Sequence, residues 1–273
     1  MERPFNEVLE SGKPDFPFCL GWANHSWSRK TWTAKNGGNA GTVAVEQTYV
    51  KEEYVDHFYD VLPAFKDTRY IQVDGKPFFL IYNVMAIPDL KMFMNCWNDL
   101  AIKNGLKGIH FVGNVLGLRA TININEYLNC GVNAISVDNA TNAEIKSNSR
   151  FITYLKKFAV NYLNLGPERY RYRDIINNIH SDLEKKENVY PVIFPDSDRT
   201  PRAGKKAVIF TGSTPKLFER FVSDTILAIE HKDYEHRIIM VNAWNEWGEG
   251  CYLEPDTKYG HQYLDALKRA LIK

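Results

Sequence analysis

Short, nearly unbroken apolar runs alternate along this chain with longer stretches whose apolar residues recur every three or four positions. The runs are residues 16–22, 76–82, 108–113, 133–137, 190–194 and 237–241, each of strand length. Between them, residues 46–65, 89–104, 175–186, 214–231 and 262–272 carry helical spacing. Pro88 precedes the second of these and Pro215 stands in the first turn of the fourth. Residues 154–174 are rich in Tyr, Arg and Asn and show no clear period.

Apolar strands separated by helices predict a parallel sheet covered on both faces. With no internal repeat, low-complexity tract or linker, residues 1–273 read as one α/β domain. Two architectures fit, a doubly wound open sheet and a (β/α)8 barrel. In both, ligands bind at the carboxyl ends of the strands. Here polar and aromatic residues follow six separate runs, at 22–25, 82–83, 113–114, 138–139, 195–198 and 242–249. No G-x-G-x-x-G or P-loop pattern follows the first run. Both points favour a ring, and a TIM-type (β/α)8 barrel is the expected fold. Six runs are two short of eight, so the barrel is expected to lack its first two strands in this chain.

Composition narrows the choice of function. The 34 basic and 33 acidic side chains leave a net charge of +1, which offers nucleic acid or anionic partners no overall attraction. Cys19, Cys96, Cys130 and Cys251 are widely spaced and form no C-x-x-C pair, so they read as reduced thiols. No run is long enough to span a membrane, and the N-terminus lacks the apolar run of a signal peptide. A cytoplasmic location is expected. The His residues show no metal-ligand spacing and no G-x-S-x-G elbow is present, so neither a metal nor another cofactor is expected.

The densest chemistry lies in residues 242–250, Asn-Ala-Trp-Asn-Glu-Trp-Gly-Glu-Gly. Glu246 and Glu249 follow an apolar run directly, and Gly248 and Gly250 favour a turn that puts both acids on one side. Trp244 and Trp247 supply flat walls on which a sugar ring stacks. Glycoside chemistry commonly uses two carboxyl groups with separate roles, which makes Glu246 and Glu249 the candidate catalytic pair. Asn242 and Asn245 are candidate hydroxyl binders beside them. Capping acids and core tryptophans are the plain alternative, although capping does not need this density.

Residues 22–32 form a second cluster, with Trp22, Asn24, His25 and Trp27 as candidate sugar contacts and Tyr82 joining them from the next run. His25 reads more readily as a hydrogen-bonding residue than as a catalytic one. Asp196 and Asp198 form a D-x-D pair of the kind that holds a metal and nucleotide diphosphate in sugar transferases. Their late position favours a loop or substrate-hydroxyl role. Arg199, Arg202, Lys205 and Lys206 read as a solvated loop.

These motifs resemble the WbsX-like family, often described as glycoside hydrolase family 99-like and found in surface-polysaccharide and lipopolysaccharide contexts. The resemblance runs through the whole chain. It is carried by Phe-Pro-Phe-Cys-Leu-Gly-Trp-Ala-Asn at 16–24, Asp-Gly-Lys-Pro-Phe at 74–78 with Tyr82, Thr-Pro-Arg at 200–202, the 242–250 motif, and Tyr-Leu-Glu-Pro-Asp at 252–256. It implies a (β/α)8 barrel acting on an oligosaccharide or polysaccharide, alongside other polysaccharide-assembly enzymes. By position, Glu246 would assist attack of the sugar 2-hydroxyl on the anomeric carbon, giving a 1,2-anhydro intermediate. Glu249 would be general acid and then base, with net retention and no metal. Family members usually begin with about two further strands. His25 and Arg199 stand where many members carry an acidic residue and an Asn. A nucleotide-sugar-dependent transferase and a non-catalytic glycan-binding remnant are the competing expectations.

Overall fold

The computed structural model describes residues 3–28, 43–115, 124–148, 150–163 and 165–272. They pack as two compact units, one from the described residues of 3–115 and 124–135, the other from 136–272.

The first unit contains α1 (Arg3–Ser11), β1 (Leu20–Trp22), β2 (Trp27–Ser28), β3 (Val43–Val45), α2 (Lys51–Phe65), β4 (Gln72–Val73), β5 (Lys76–Ile81), α3 (Leu90–Lys103), β6 (His110–Val115) and α4 (Ile124–Asn129). Strands β1, β5 and β6 run parallel, with Gly21 opposite Leu80 and Leu80 opposite Val112. β4 turns back antiparallel on β5 through Asp74-Gly75. The apolar run at 16–22 was expected to be a buried strand throughout, yet only its last three residues form a strand, Phe18 makes an isolated bridge to Tyr70, and Phe16 is exposed. Pro14 and Pro17 explain this, because neither has an N–H to give to a ladder.

Trp97 of α3 is the centre of this unit's core. Its ring meets Phe58 and Phe65 of α2, Phe79 of β5, and Phe93, with centroids 4.7–6.1 Å apart. The indole N–H donates to the Tyr54 carbonyl at 2.9 Å, so the one polar atom of a buried Trp is satisfied.

β7 (Ala134–Val137) carries the chain from the first unit into the second. The second continues with α5 (Ala140–Ser147), α6 (Arg150–Tyr162), β8 (Glu168–Arg171), α7 (Tyr172–Asn178), β9 (Val189–Ile193), α8 (Thr200–Ala203), β10 (Val208–Thr211), α9 (Pro215–Ile229), β11 (Met240–Val241), β12 (Asn245–Glu246), β13 (Cys251–Tyr252) and α10 (Gln262–Leu271). β9 and β11 are parallel, β8 and β10 form a separate parallel pair, and β12 and β13 close a short hairpin. Phe194, Phe218, Phe221 and Val222 form the core with Tyr172, whose hydroxyl donates to the Phe194 carbonyl at 2.7 Å.

Two expectations change here. The helix expected over 175–186 runs from Tyr172 to Asn178 and stops. The buried Asn139 carboxamide donates to the Ile179 carbonyl at 2.6 Å, taking up a helix-end acceptor. The piece without a period at 154–174 contains most of α6 and all of β8. Parallel strands with interspersed helices are as expected for an α/β fold. Among the described residues no helix is long and apolar enough to cross a membrane.

Candidate functional site

In the second unit the chain leaves β11 at Val241, and Asn242 donates its N–H to the Ile193 carbonyl, continuing the β9 pairing by one residue. The β12–β13 hairpin then closes around a 3-10 turn, Trp247–Glu249, with Gly250 at φ 61°. This turn places Glu246 at one end and Glu249 at the other.

One guanidinium joins them. Arg202 Nη2 lies 2.7 Å from Glu246 Oε1, and its Nη1 lies 2.7 Å from Glu249 Oε1. Arg199 adds a contact of 3.2 Å to the same Glu249 oxygen. These arginines were expected to be a solvated loop. The structure corrects this: they face the acid-bearing turn because Thr200 and Pro201 start α8, which brings both towards it. The Asp198 carboxylate accepts from the Thr200 N–H at 2.9 Å and from its hydroxyl at 2.6 Å, fixing that start. The Asp198 N–H donates to the Glu249 carbonyl at 2.7 Å, so the two loops are joined by backbone as well. Lys205 and Lys206 remain exposed.

Trp247 stacks on Tyr252 with centroids 3.7 Å apart and planes 16° from parallel, and its indole N–H donates to Glu254 at 2.5 Å. This stacked pair borders a cleft of about 490 Å³ completed by Pro255, Asp256, Thr257 and Lys258. Trp244 is 56% exposed and Trp247 47% exposed. Both indoles are therefore available to a ligand. Asn242 and Asn245 are exposed as well.

Asp196 lies deeper in this unit. Burial pushes its carboxyl up to about 6, opposed by the Ser197 N–H and the positive charge of Lys258. Asp138, at the end of β7, is also raised by burial, against the Ala140 N–H and the positive charge of Arg199. Sequence reading did not pick out Asp138 as a site residue, although its place just past an apolar run was a usable signal. The D-x-D pair is thus split: Asp198 holds the start of α8, and Asp196 is the shielded carboxyl. Among the described residues no group of three or more His, Cys, Asp or Glu could hold a metal ion.

The first unit carries the other cluster. His25 lies parallel to Trp27, with centroids 5.9 Å apart, and tilts against Tyr82 at 5.4 Å. All three are exposed. Asn24 beneath them is 0% exposed, and its carboxamide accepts from the Asn83 N–H and donates to the Asn83 carbonyl. It joins the loop after β1 to the loop after β5. Trp22 turns the other way, against His57 and Phe93. Residues 29–32, Trp32 included, lie outside the described residues.

Residues 1–267 match the family model described as Glycosyltransferase WbsX. Two curated relatives are similar over the whole chain, both described as uncharacterized protein WxcX. One, from Xanthomonas campestris pv. campestris strain B100, is 23% identical over 274 residues, and the other, from strain ATCC 33913, is 24% identical. The chain spans 37% of the length of each. Among solved structures, a glycoside hydrolase-like protein aligns with a TM-score of 0.59 at 17% identity, over 98% of this chain and 74% of its own. The endo-alpha-mannosidase of family GH99 from Bacteroides thetaiotaomicron aligns with a TM-score of 0.45 at 16% identity, over 81% of this chain and 60% of its own. That likeness is too distant to establish a shared fold.

Proposed function

Because the chain belongs to the glycosyltransferase WbsX family, we propose that it cleaves or transfers glycosidic bonds of a surface polysaccharide, with Glu246 and Glu249 as its working acids. The observation that carries this reading is the fork of Arg202 across both carboxylates, 2.7 Å to each, beside two exposed indoles. Capping acids would bond to helix N–H groups. These two are held by a side chain and left beside open aromatic faces. We assign the chain to the (β/α)8 barrel class that the family resemblance implies.

The chemistry follows from what each group can do. Glu246 takes the proton of the sugar 2-hydroxyl as its oxygen bonds to the anomeric carbon. Glu249 gives a proton to the departing glycosidic oxygen as that bond breaks. Glu249 then takes a proton from the incoming water or acceptor hydroxyl, the three-membered ring opens at the anomeric carbon, and Glu246 returns its proton to the 2-oxygen. Two inversions at that carbon leave the configuration retained. In the free chain Arg202 and Arg199 hold Glu249 by its Oε1, which leaves the proton exchange with the glycan to Oε2. Trp244 and Trp247 stack on the sugar, with Asn242, Asn245 and Asp196 as hydroxyl partners. In the first unit, His25, Trp27 and Tyr82 form an aromatic surface for glycan contact, presented by Asn24.

The family description itself favours a second reading, a transferase that takes its sugar from a nucleotide donor. One experiment separates the two. The purified chain is incubated with bacterial surface-polysaccharide fragments and synthetic α-mannosides, with and without nucleotide sugars, and product anomers are followed by NMR. Release of a retained product without a nucleotide sugar supports the proposal, and strict dependence on the nucleotide donor supports the transferase. Glu249→Gln is expected to lower turnover by roughly 10²–10⁴-fold. Unchanged turnover in that variant would remove Glu249 from the mechanism.

A further inference from the structure

Three neighbouring strands, in the order β7, β9 and β11, are followed by polar residues: Asp138 directly after β7, Asp196 shortly after β9 and Asn242 directly after β11. Asp138 and Asp196 are both half-buried. Each is held by one oxygen only. Asp138 Oδ1 accepts from the Ala140 N–H at 2.9 Å, and Asp196 Oδ1 accepts from the Ser197 N–H at 2.8 Å. Among the described residues neither Oδ2 has a donor, and neither carboxylate forms an ion pair. The hydroxyls near Asp196 are committed elsewhere. Tyr172 donates to the Phe194 carbonyl, and Ser213 donates to the Pro195 carbonyl, so Tyr263 donates to Ser213. A carboxyl group drawn out of water with an oxygen unfilled costs free energy, and burial pushes both groups up. A ligand that brings the missing donors offsets that cost.

Their neighbours tie both groups to the site of Glu246 and Glu249. The charge of Arg199, whose guanidinium contacts Glu249 at 3.2 Å, acts on Asp138. The charge of Lys258, in the cleft beside Trp247 and Tyr252, acts on Asp196. Cys251 lies just past the acid-bearing turn and feels both carboxylates, and its thiol donates to the Asn242 carbonyl at 2.7 Å. Charge and spacing then narrow the ligand. A cation is disfavoured where Arg199 and Lys258 already act, which leaves neutral donors. Neighbouring strands stand about 4.8 Å apart, a span that two hydroxyls of one sugar ring can bridge. Each hydroxyl can donate to one open carboxylate oxygen.

We propose that Asp138 joins Asp196 as a specificity-determining pair that takes two hydroxyls of one sugar ring. The chain then selects sugars whose hydroxyls are free at those positions and rejects their deoxy and O-acetyl forms. This rests on the glycan reading of the same site and adds a requirement on the substrate. The test is binding, followed by isothermal titration on the Glu249→Gln chain so that turnover does not enter. The probes are synthetic disaccharides of mannose, galactose and glucose, each with its monodeoxy analogues. For a disaccharide that binds, the analogues lacking a gripped hydroxyl should bind roughly tenfold more weakly or worse. Adding Asp138→Asn should weaken the parent disaccharide by a similar factor. One of the weakened analogues should then lose little more, the mark of a direct contact. Asparagine keeps an oxygen for the Ala140 N–H, so the urea midpoint at about pH 7.5 should not fall. The proposal is overturned if no disaccharide binds or if every deoxy analogue binds like its parent. It is also overturned if Asp138→Asn leaves affinity unchanged, or if its losses and those of the analogues simply add. If this preference holds while the wild-type chain cleaves no glycan, the catalytic reading fails alone. Cleavage without the preference keeps the catalytic reading and sinks the pair.

Discussion

Gly250 is where the acid-bearing turn and the loop of Asp198 come closest. A Cβ built on it would lie 2.9 Å from both the Cβ and the backbone N of Asp198, and its φ of 61° already disfavours any other residue. Gly250→Ala therefore carries two penalties, and a loss of about 2–3 kcal/mol is expected in urea denaturation. Arg202→Met should leave stability nearly unchanged, because its ion pairs are partly exposed, yet lower kcat by roughly 10²-fold through misplacement of the acid pair. Arg202→Lys should not restore the rate, since an ammonium cannot fork across two carboxylates. A kcat and KM determination on a cleaved glycan checks both. Asp196 gives a pH prediction. Its folded value of about 6 lies above the ordinary 3.8, so between these values the folded chain keeps a proton that the unfolded chain has lost. Stability attributable to this group therefore falls as pH rises through that window, and ionised Asp196 costs about 3 kcal/mol above it. Asp196→Asn is expected to be more stable than the parent in urea at about pH 7.5 and nearly equal at about pH 4. Glu246, Glu249 and their tryptophans stood out in the sequence because they are neighbours there. Arg202 was noticed only as part of Thr-Pro-Arg and of a solvated loop, because 44 residues separate it from Glu246 and only folding brings them together.

At the scale of elements, what could be read in the sequence was whatever had a local cause. Helix α3 begins where Asp89 accepts from the Met92 N–H at 2.8 Å, and α9 begins where Thr214 accepts from the Leu217 N–H, with Pro215 next. Both starts lie within a residue of the sequence reading, since caps and prolines act on their own neighbours. Asp89→Ala should cost about 1 kcal/mol, measured as a shift of the urea midpoint with unchanged slope. The apolar strands β5, β6, β7 and β9 were equally legible. Strand β8 was not. Its sequence, Glu-Arg-Tyr-Arg, has one inward residue, Tyr170, and its pairing with β10 is set by residues some forty positions away. Helix α6 was missed for a different reason. The piece read as one, 154–174, begins inside α6 and runs on through β8, so helical and strand spacing cancelled in a single window.

For the whole molecule, the two units differ in what holds them together. The first has an aromatic nucleus around Trp97, and the second a mixed aromatic and aliphatic core around Phe194 and Phe221. The second also buries a polar network, in which Asn139 donates to Glu184 at 2.9 Å and Lys232 donates to the Val189 carbonyl at 2.5 Å. Such networks are sensitive to any loss of packing, because each buried polar atom left without its partner costs about 1–3 kcal/mol. In the Trp97 nucleus the Trp97 indole donates to the Tyr54 carbonyl and the Tyr70 hydroxyl donates to the Phe78 carbonyl at 2.8 Å, single bonds and not a network. Trp97→Ala therefore acts mainly through cavity and lost contact, about 3–5 kcal/mol, and leaves the network of the second unit untouched. Local opening follows local contact energy. Native-state hydrogen exchange on this variant should show protection lost across α2, α3, β5 and β6 while β9 and α9 keep most of theirs. Phe221→Ala, which empties the other core, should reverse that pattern. Uniform loss of protection in both variants would mean that the chain opens as one cooperative body, and the two cores would then have to be counted as one.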